Sequence, residues 1–299
     1  MWMYLGLLTA LFLGLHNLCK KHAVKDNDVF KVLIGTSGSG LLLLLPLLIL
    51  SRVNPEYTQE IDLYIPELSF RSHVLIFIKS SIMACSWVLA YQALKHLPIS
   101  IVSPIRAGGP FFTFIGAIVI YNESPKLFQW IGFFLIMFSV YLYSRVGKKE
   151  GIVFKSNKWI YAIIGATFLG ASSGLYDKYL VQYVDFNPQT LQFWFTFYVV
   201  IILSIIVLVR TISDKEKRKG FKFRWSIPAV GLFLQLADYF YFKALQDPEA
   251  LIMLLSAIKR SQLLIAAVAG GIIFKEKNKR KKLIPLAGVM IGVFLILFS

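Results

Sequence analysis

The sequence predicts an all-α polytopic membrane protein with ten transmembrane helices arranged as two inverted five-helix repeats. Three observations carry this expectation. The 299 residues are 57% hydrophobic and only 16% charged, with mean hydropathy +0.66, whereas soluble domains carry roughly 25% charge. The apolar residues gather into ten runs, most of them close to the ~20 residues that cross a bilayer as a helix. Landmarks of the first five runs recur in the last five.

The runs cover residues 2–19, 31–51, 73–94, 98–121, 126–145, 158–178, 189–210, 226–246, 249–274 and 283–299. Span one has no basic leader and no small-residue cleavage site, so it reads as a retained helix. Span two holds GlyThrSerGlySerGly (35–40). That stretch lacks the Lys-Ser/Thr ending of a phosphate loop and suits close helix packing, as do Gly170…Gly174 and Gly288…Gly292. An acidic connection, 52–71, leads to span three. HisLeuPro (96–98) and AspPro (247–248) are connections too short for anything but antiparallel neighbours. Span four opens on SerProIleArgAlaGlyGlyPro (103–110). Its two prolines free backbone carbonyls, and a broken helix is tolerated where it lines a cavity. Asp177-Lys178 and Lys20-Lys21 end spans six and one and read as interfacial anchors.

The repeat is visible in three places. TyrGlnAlaLeuLysHisLeuPro (91–98) ends span three and TyrPheLysAlaLeuGlnAspPro (241–248) ends span eight. PheLeuGly occurs at 12–14 and again at 168–170. Glu123 closes span four and Glu276 closes span nine, each with an intramembrane cation 17 residues earlier, Arg106 and Lys259. The halves are residues 1–147 and 155–299. An odd number of spans per half inverts one against the other, a plan that places a site near the midplane. Both glutamates are expected at membrane interfaces, at a helix end or closing gate.

Cations inside the spans are the strongest functional signal. Each costs at least ~2.5–3.5 kcal/mol at mid-bilayer and marks a cavity or a partner. Lys259 and Arg260 stand side by side in span nine, in a stretch, Leu251–Phe274, that holds no acid. They are about 100° apart on a helix, so both can border one cavity without pointing the same way. Arginine supplies a planar fork for phosphate or carboxylate, and lysine a point charge. Arg106 either binds or satisfies the carbonyls that Pro104 and Pro110 free. Lys79 in span three binds or snorkels. Gln235, Asp238 and Tyr241 form a polar stripe on span eight. Gln235 and Tyr241 are candidate solute contacts. Asp238 is a proton-coupling carboxylate, a substrate contact or the salt-bridge partner of Lys259, Arg260 or Arg106, the charge pair being the plainer reading. The substrate-binding set is thus Arg106, Lys259, Arg260, Lys79, Tyr241 and Gln235. The four histidines and two cysteines have no metal-ligand spacing. No catalytic constellation, metal site or cofactor is expected.

Two five-span halves, each with a glutamate ending its fourth span before a short loop and a glycine-bearing helix, resemble EamA-type members of the drug/metabolite transporter superfamily over essentially the whole chain. A narrower similarity is to the triose-phosphate translocators of that superfamily. Those hold phosphate with a basic residue in span four and a Lys-Arg pair in span nine, an arrangement that Arg106, Lys259 and Arg260 match. This chain has Arg where those relatives have Lys in span four.

Of the 32 Lys and Arg, 23 fall in or beside the odd-numbered connections and 5 in or beside the even ones. Positive loops stay cytoplasmic. Loops 20–31, 146–157, 211–225 and 275–282 are therefore expected inside a cell membrane and both termini outside, although the resemblance implies cytoplasmic termini. The net charge of +16 is accounted for by this loop pattern and implies no nucleic acid. Three readings of function stand. One is a secondary transporter of a small organic anion, phosphorylated metabolites included, working by alternating access or exchange. Another is a proton-driven exporter of amino acids or other metabolites. The third is a flippase-like or non-transporting membrane protein. The partners expected are an anionic small molecule and the lipid bilayer, with the chain a monomer or homodimer.

Overall fold

A computed structural model describes residues 1–25, 27–97, 102, 105–106, 108–145, 157–213, 221–265 and 279–298. Among them there are helices and no strands. The helices are α1 (Trp2–Ala23), α2 (Val29–Val53), α3 (Pro55–Glu60), α4 (Phe70–His96), α5 (Gly109–Tyr121), α6 (Leu127–Arg145), α7 (Lys158–Lys178), α8 (Pro188–Ser213), α9 (Ser226–Leu245), α10 (Ile252–Ile258) and α11 (Lys279–Leu297). All but α3 fall on expected spans. Five segments are long and apolar enough to cross a membrane: Trp2–Lys20, Val29–Val53, Phe70–Ala90, Lys158–Tyr183 and Pro188–Arg210.

Short polar side chains start several helices. Asp28 accepts from the N–H groups of Phe30 and Lys31 at α2, Ser69 from Ser72 at α4, and Asn157 from Trp159 at α7. Each satisfies donors that a helix leaves unpaired in its first turn. Asn122 ends α5 in the left-handed region at φ 51°.

The packing follows a two-fold exchange of the halves. α1 lies on α9 as α7 lies on α4, and α2 lies on α9 as α8 lies on α4. The pairs α6–α11, α2–α8 and α5–α10 map onto themselves. The glycines at 288 and 292 serve close approach, as expected. A Cβ on Gly292 would lie 2.8 Å from the Gly132 carbonyl, and one on Gly132 would lie 2.6 Å from the Gly292 carbonyl. Gly170 and Gly174 do not: their nearest neighbours would sit at 3.5 and 3.7 Å, ordinary contact distances.

Two elements differ from the sequence expectation. The acidic connection after α2 holds α3 and is pinned down. Arg52 donates to the Ile65 carbonyl (2.9 Å), Asn187 to that of Tyr64 (2.7 Å) and Gln189 to that of Asp62 (2.6 Å), and Lys243 pairs with the Asp62 carboxylate. The seventh helix continues past Lys178 through a π-turn, Tyr179–Tyr183, so Asp177 and Lys178 lie inside a 26-residue span rather than at its end.

Candidate functional site

α10 is a short helix whose seven residues are all buried. It tightens into a 3-10 turn at Lys259–Ser261 and resumes as α-helix to Ile265. The tightened turn carries the two adjacent cations, which point different ways. The Lys259 ammonium sits 3.8 Å over the ring of Tyr241 on α9, a favourable cation–π contact. The Arg260 side chain turns towards α5 and α7. Its Nη2 is 3.0 Å from where a Cβ on Gly109 would stand, beside Thr167. Gly109 is thus the residue that lets the guanidinium reach the first turn of α5.

Arg260 has no carboxylate within 4 Å among the described residues, and its Nε lacks a hydrogen-bond partner. It also feels the repulsion of Arg106. Arg106 itself is exposed, while Ser103, Pro104 and Ala107 around it lie outside the described residues. The first turn of α5 contributes partial positive charge to the same place. The Arg260 guanidinium of the second half thus meets the helix N-terminus of the first half, with Arg106 within electrostatic reach.

Next to this lies a mixed-charge cluster. Lys79 on α4 is 1% exposed and does not snorkel. Its Nζ is 2.5 Å from Asp177 Oδ1 on α7 and 4.0 Å from the centre of the Phe195 ring. The Tyr241 hydroxyl faces the Asp177 carboxylate without a well-formed hydrogen bond. Asp238 is half-buried, within electrostatic reach of Lys79, Asp177 and Lys259. It makes no ion pair within 4 Å among the described residues. The charge pair expected of Asp238 with Lys259, Arg260 or Arg106 is not formed among the described residues; it is Asp177 that makes an ion pair, with Lys79, where α7 packs on α4.

Gln235 stands apart from these groups. Its Oε1 accepts from Gln192 Nε2 (2.8 Å), its Nε2 donates to Thr196 Oγ1 (3.2 Å), and Gln192 also reaches its backbone carbonyl (2.6 Å). It fastens α9 to α8. Residues six apart on a helix are about 120° apart around its axis, so the polar stripe divides, with Gln235 towards α8 and Tyr241 towards the ions.

A second buried pair was read from the sequence as interfacial. Lys178 and Glu123 meet at 2.7 Å and are 5% and 6% exposed. Asp177 and Lys178 are the residues that sequence reasoning misplaced; Glu123 follows the end of α5 as expected, but buried. The apolar stretch TyrLeuValGlnTyr (179–183), which carries the span onward, was the available signal. Glu276 lies outside the described residues.

Comparison with known proteins agrees with this architecture. The model of the EamA-like transporter family matches twice, over residues 1–145 and 157–298. A solved crystal structure of another protein superposes with TM-score 0.76 at 9% sequence identity, covering 98% of this chain and 95% of the other. That likeness speaks to the fold alone. No curated protein matches. The family match is broad and does not reach the narrower triose-phosphate resemblance. Since the two family matches together span nearly the whole chain, the protein belongs to the EamA-like transporter family, multi-pass membrane transporters of the drug/metabolite type.

Proposed function

We propose that the chain carries a small organic anion across a membrane by alternating access, holding it between Arg260, Lys259 and Arg106. One observation carries this: the Arg260 guanidinium lies against the first turn of α5, has an unsatisfied Nε and has no carboxylate within 4 Å among the described residues. A cation in hydrocarbon beside a positive helix end is costly unless an anion completes the site. A carboxylate or phosphate fits both the guanidinium fork and the amide end of a helix. An empty site of this charge resists reorientation across the bilayer, which favours exchange over net flux. Thermal-shift screening of the purified protein against anionic metabolites tests the reading. A stabilising anion is expected, and Arg260→Gln and Lys259→Gln each abolish its shift. A shift that survives both substitutions removes the proposal. For a hit, proteoliposomes take it up faster when preloaded with the same anion; equal rates with and without preloading count against exchange.

A second reading concerns energy coupling and rests on Asp238. Its carboxylate lies on α9 without an ion pair within 4 Å among the described residues, facing Lys79, Asp177 and Lys259. Such a group can take up a proton or the ammonium of a zwitterion. On this reading Asp238→Asn abolishes dependence of transport on a pH gradient, measured in proteoliposomes with an imposed gradient. Undiminished dependence in the variant discards it.

A further inference from the structure

Glu123 makes a set of contacts that ending a helix does not require. It follows the left-handed turn at Asn122 and is almost wholly buried. Its Oε1 accepts from Lys178 Nζ (2.7 Å) and from the N–H of Ile252 (2.7 Å), and its Oε2 from the N–H of Met253 (3.2 Å). Lys178 also donates to the Ala250 carbonyl (2.9 Å). Beside it the Tyr121 hydroxyl donates to the Leu175 carbonyl (2.6 Å). A carboxylate from the first half thus clasps the start of α10 in the second half, with a lysine from α7 neutralising it.

The helix so held runs directly into the turn that carries Lys259 and Arg260. Its seven residues span ~10 Å at 1.5 Å per residue. All are buried, and they touch α1, α5, α6 and α7, which belong to both halves. A packed helix of this length moves as a rigid piece, so a change at its first turn is transmitted to its last. Hydrophobic residues of similar volume commonly stabilise a buried contact as well as an ion pair does. An ionic clasp differs in that it binds in one arrangement and is released in another. Glu276 follows Lys259 by the 17 residues that separate Glu123 from Arg106; its surroundings lie outside the described residues.

We propose that Glu123 is a positioning residue that seals this end of the molecule, clasping the α10 N-terminus in the closed form and releasing it so that α10 carries Lys259 and Arg260 between the two access states. The purpose assigned to the clasp rests on the transport reading. Its test reads accessibility alone, so the anion proposal can fail while this one stands, and the reverse.

The probe is a cysteine at Ala250, which is 0% exposed and lies beside the clasp, in a protein whose Cys19 and Cys85 are replaced by serine. A cysteine at Ala23, also 0% exposed and packed near the opposite end of α9, serves as the control. Labelling with a charged maleimide is followed in nanodiscs, where both faces are open to reagent. Glu123→Gln offers one acceptor and a misplaced NH2 to three donors. The expected result is labelling at Ala250→Cys at least about tenfold faster, with no acceleration at Ala23→Cys. Lys178→Gln should have the same effect. Unchanged labelling at Ala250→Cys overturns the proposal, and so does equal acceleration at both sites, which marks general loosening. If Glu123→Gln yields only aggregate, Glu123→Asp keeps the charge but is one methylene too short to span the donors. The same acceleration is then expected of it, and its absence is equally fatal.

Discussion

Lys79 and Asp177 meet at 2.5 Å with almost no exposure to solvent, and each accounts for the other. Removing one partner of such a pair strands a charge in low dielectric, which costs about 3–5 kcal/mol, whereas replacing both with apolar groups is often neutral. Lys79→Met and Asp177→Leu should therefore each lower thermal stability in detergent sharply, and the double variant should recover most of the loss. Additive losses would mean that the two residues act separately. Arg260 has no acid within 4 Å among the described residues, so Arg260→Gln should leave stability unchanged or raise it. This contrast separates cations held by the protein from those left for a solute. The sequence makes the four intramembrane cations legible as unusual, because a charge in an apolar run stands out. It does not say which are neutralised at home, because that depends on which helix faces which. Lys79 and Arg260 look alike in one dimension; only the packing of α4 against α7 gives Lys79 its aspartate.

The positions of the helices could be read directly, because bilayer thickness sets the length of an apolar run. Their ends were harder. The π-turn Tyr179–Tyr183 adds a little more than a turn to the seventh helix, so Asp177 and Lys178, apparent interfacial anchors in the sequence, are buried partners of Lys79 on α4 and of Glu123 after α5. Only Leu180 and Val181 carry the apolar run onward, while Tyr179, Gln182 and Tyr183 look like an interface, so the signal for the longer helix is weak. Gln235 shows the same limit in another form. Its i, i+3, i+6 relation to Asp238 and Tyr241 is a true periodicity, yet a helix buried on several sides uses its faces for different neighbours, and α8 claims Gln235. Small residues behaved likewise. Gly288 and Gly292 bring α6 and α11 into backbone contact, while Gly170 and Gly174 leave ordinary space towards Ser86 and Tyr241. Spacing indicates where close approach is allowed, and the neighbour decides whether it occurs.

At the scale of the whole molecule, the even-numbered connections gather at one end with both termini. The start of α1 packs by Gly6 against Leu255 and Ile258 of α10, and Leu297 near the end of α11 shares an apolar groove with Leu7. The same end carries the Glu123 clasp and the pinned segment around α3. The opposite end holds, among the described residues, the first connection tied to the end of the seventh, Asn27 to Lys222 and Arg224 to His22, and in the sequence the odd connections carry 23 Lys and Arg against 5. Since excess Lys and Arg in short loops keeps them cytoplasmic, the sealed end should face outward, with the termini outside, against the orientation that the family resemblance implied. Impermeant-reagent labelling of a cysteine added at either terminus, in intact cells, decides this: reaction before lysis is expected. Reaction only after lysis would turn the molecule over and put the Glu123 clasp at the cytoplasmic face. The clasp and the cation site would be unaffected, because neither depends on which face of the membrane the sealed end meets. The direction in which the carrier first accepts its anion would reverse, so orientation has to be measured before any uptake assay is read as import or export.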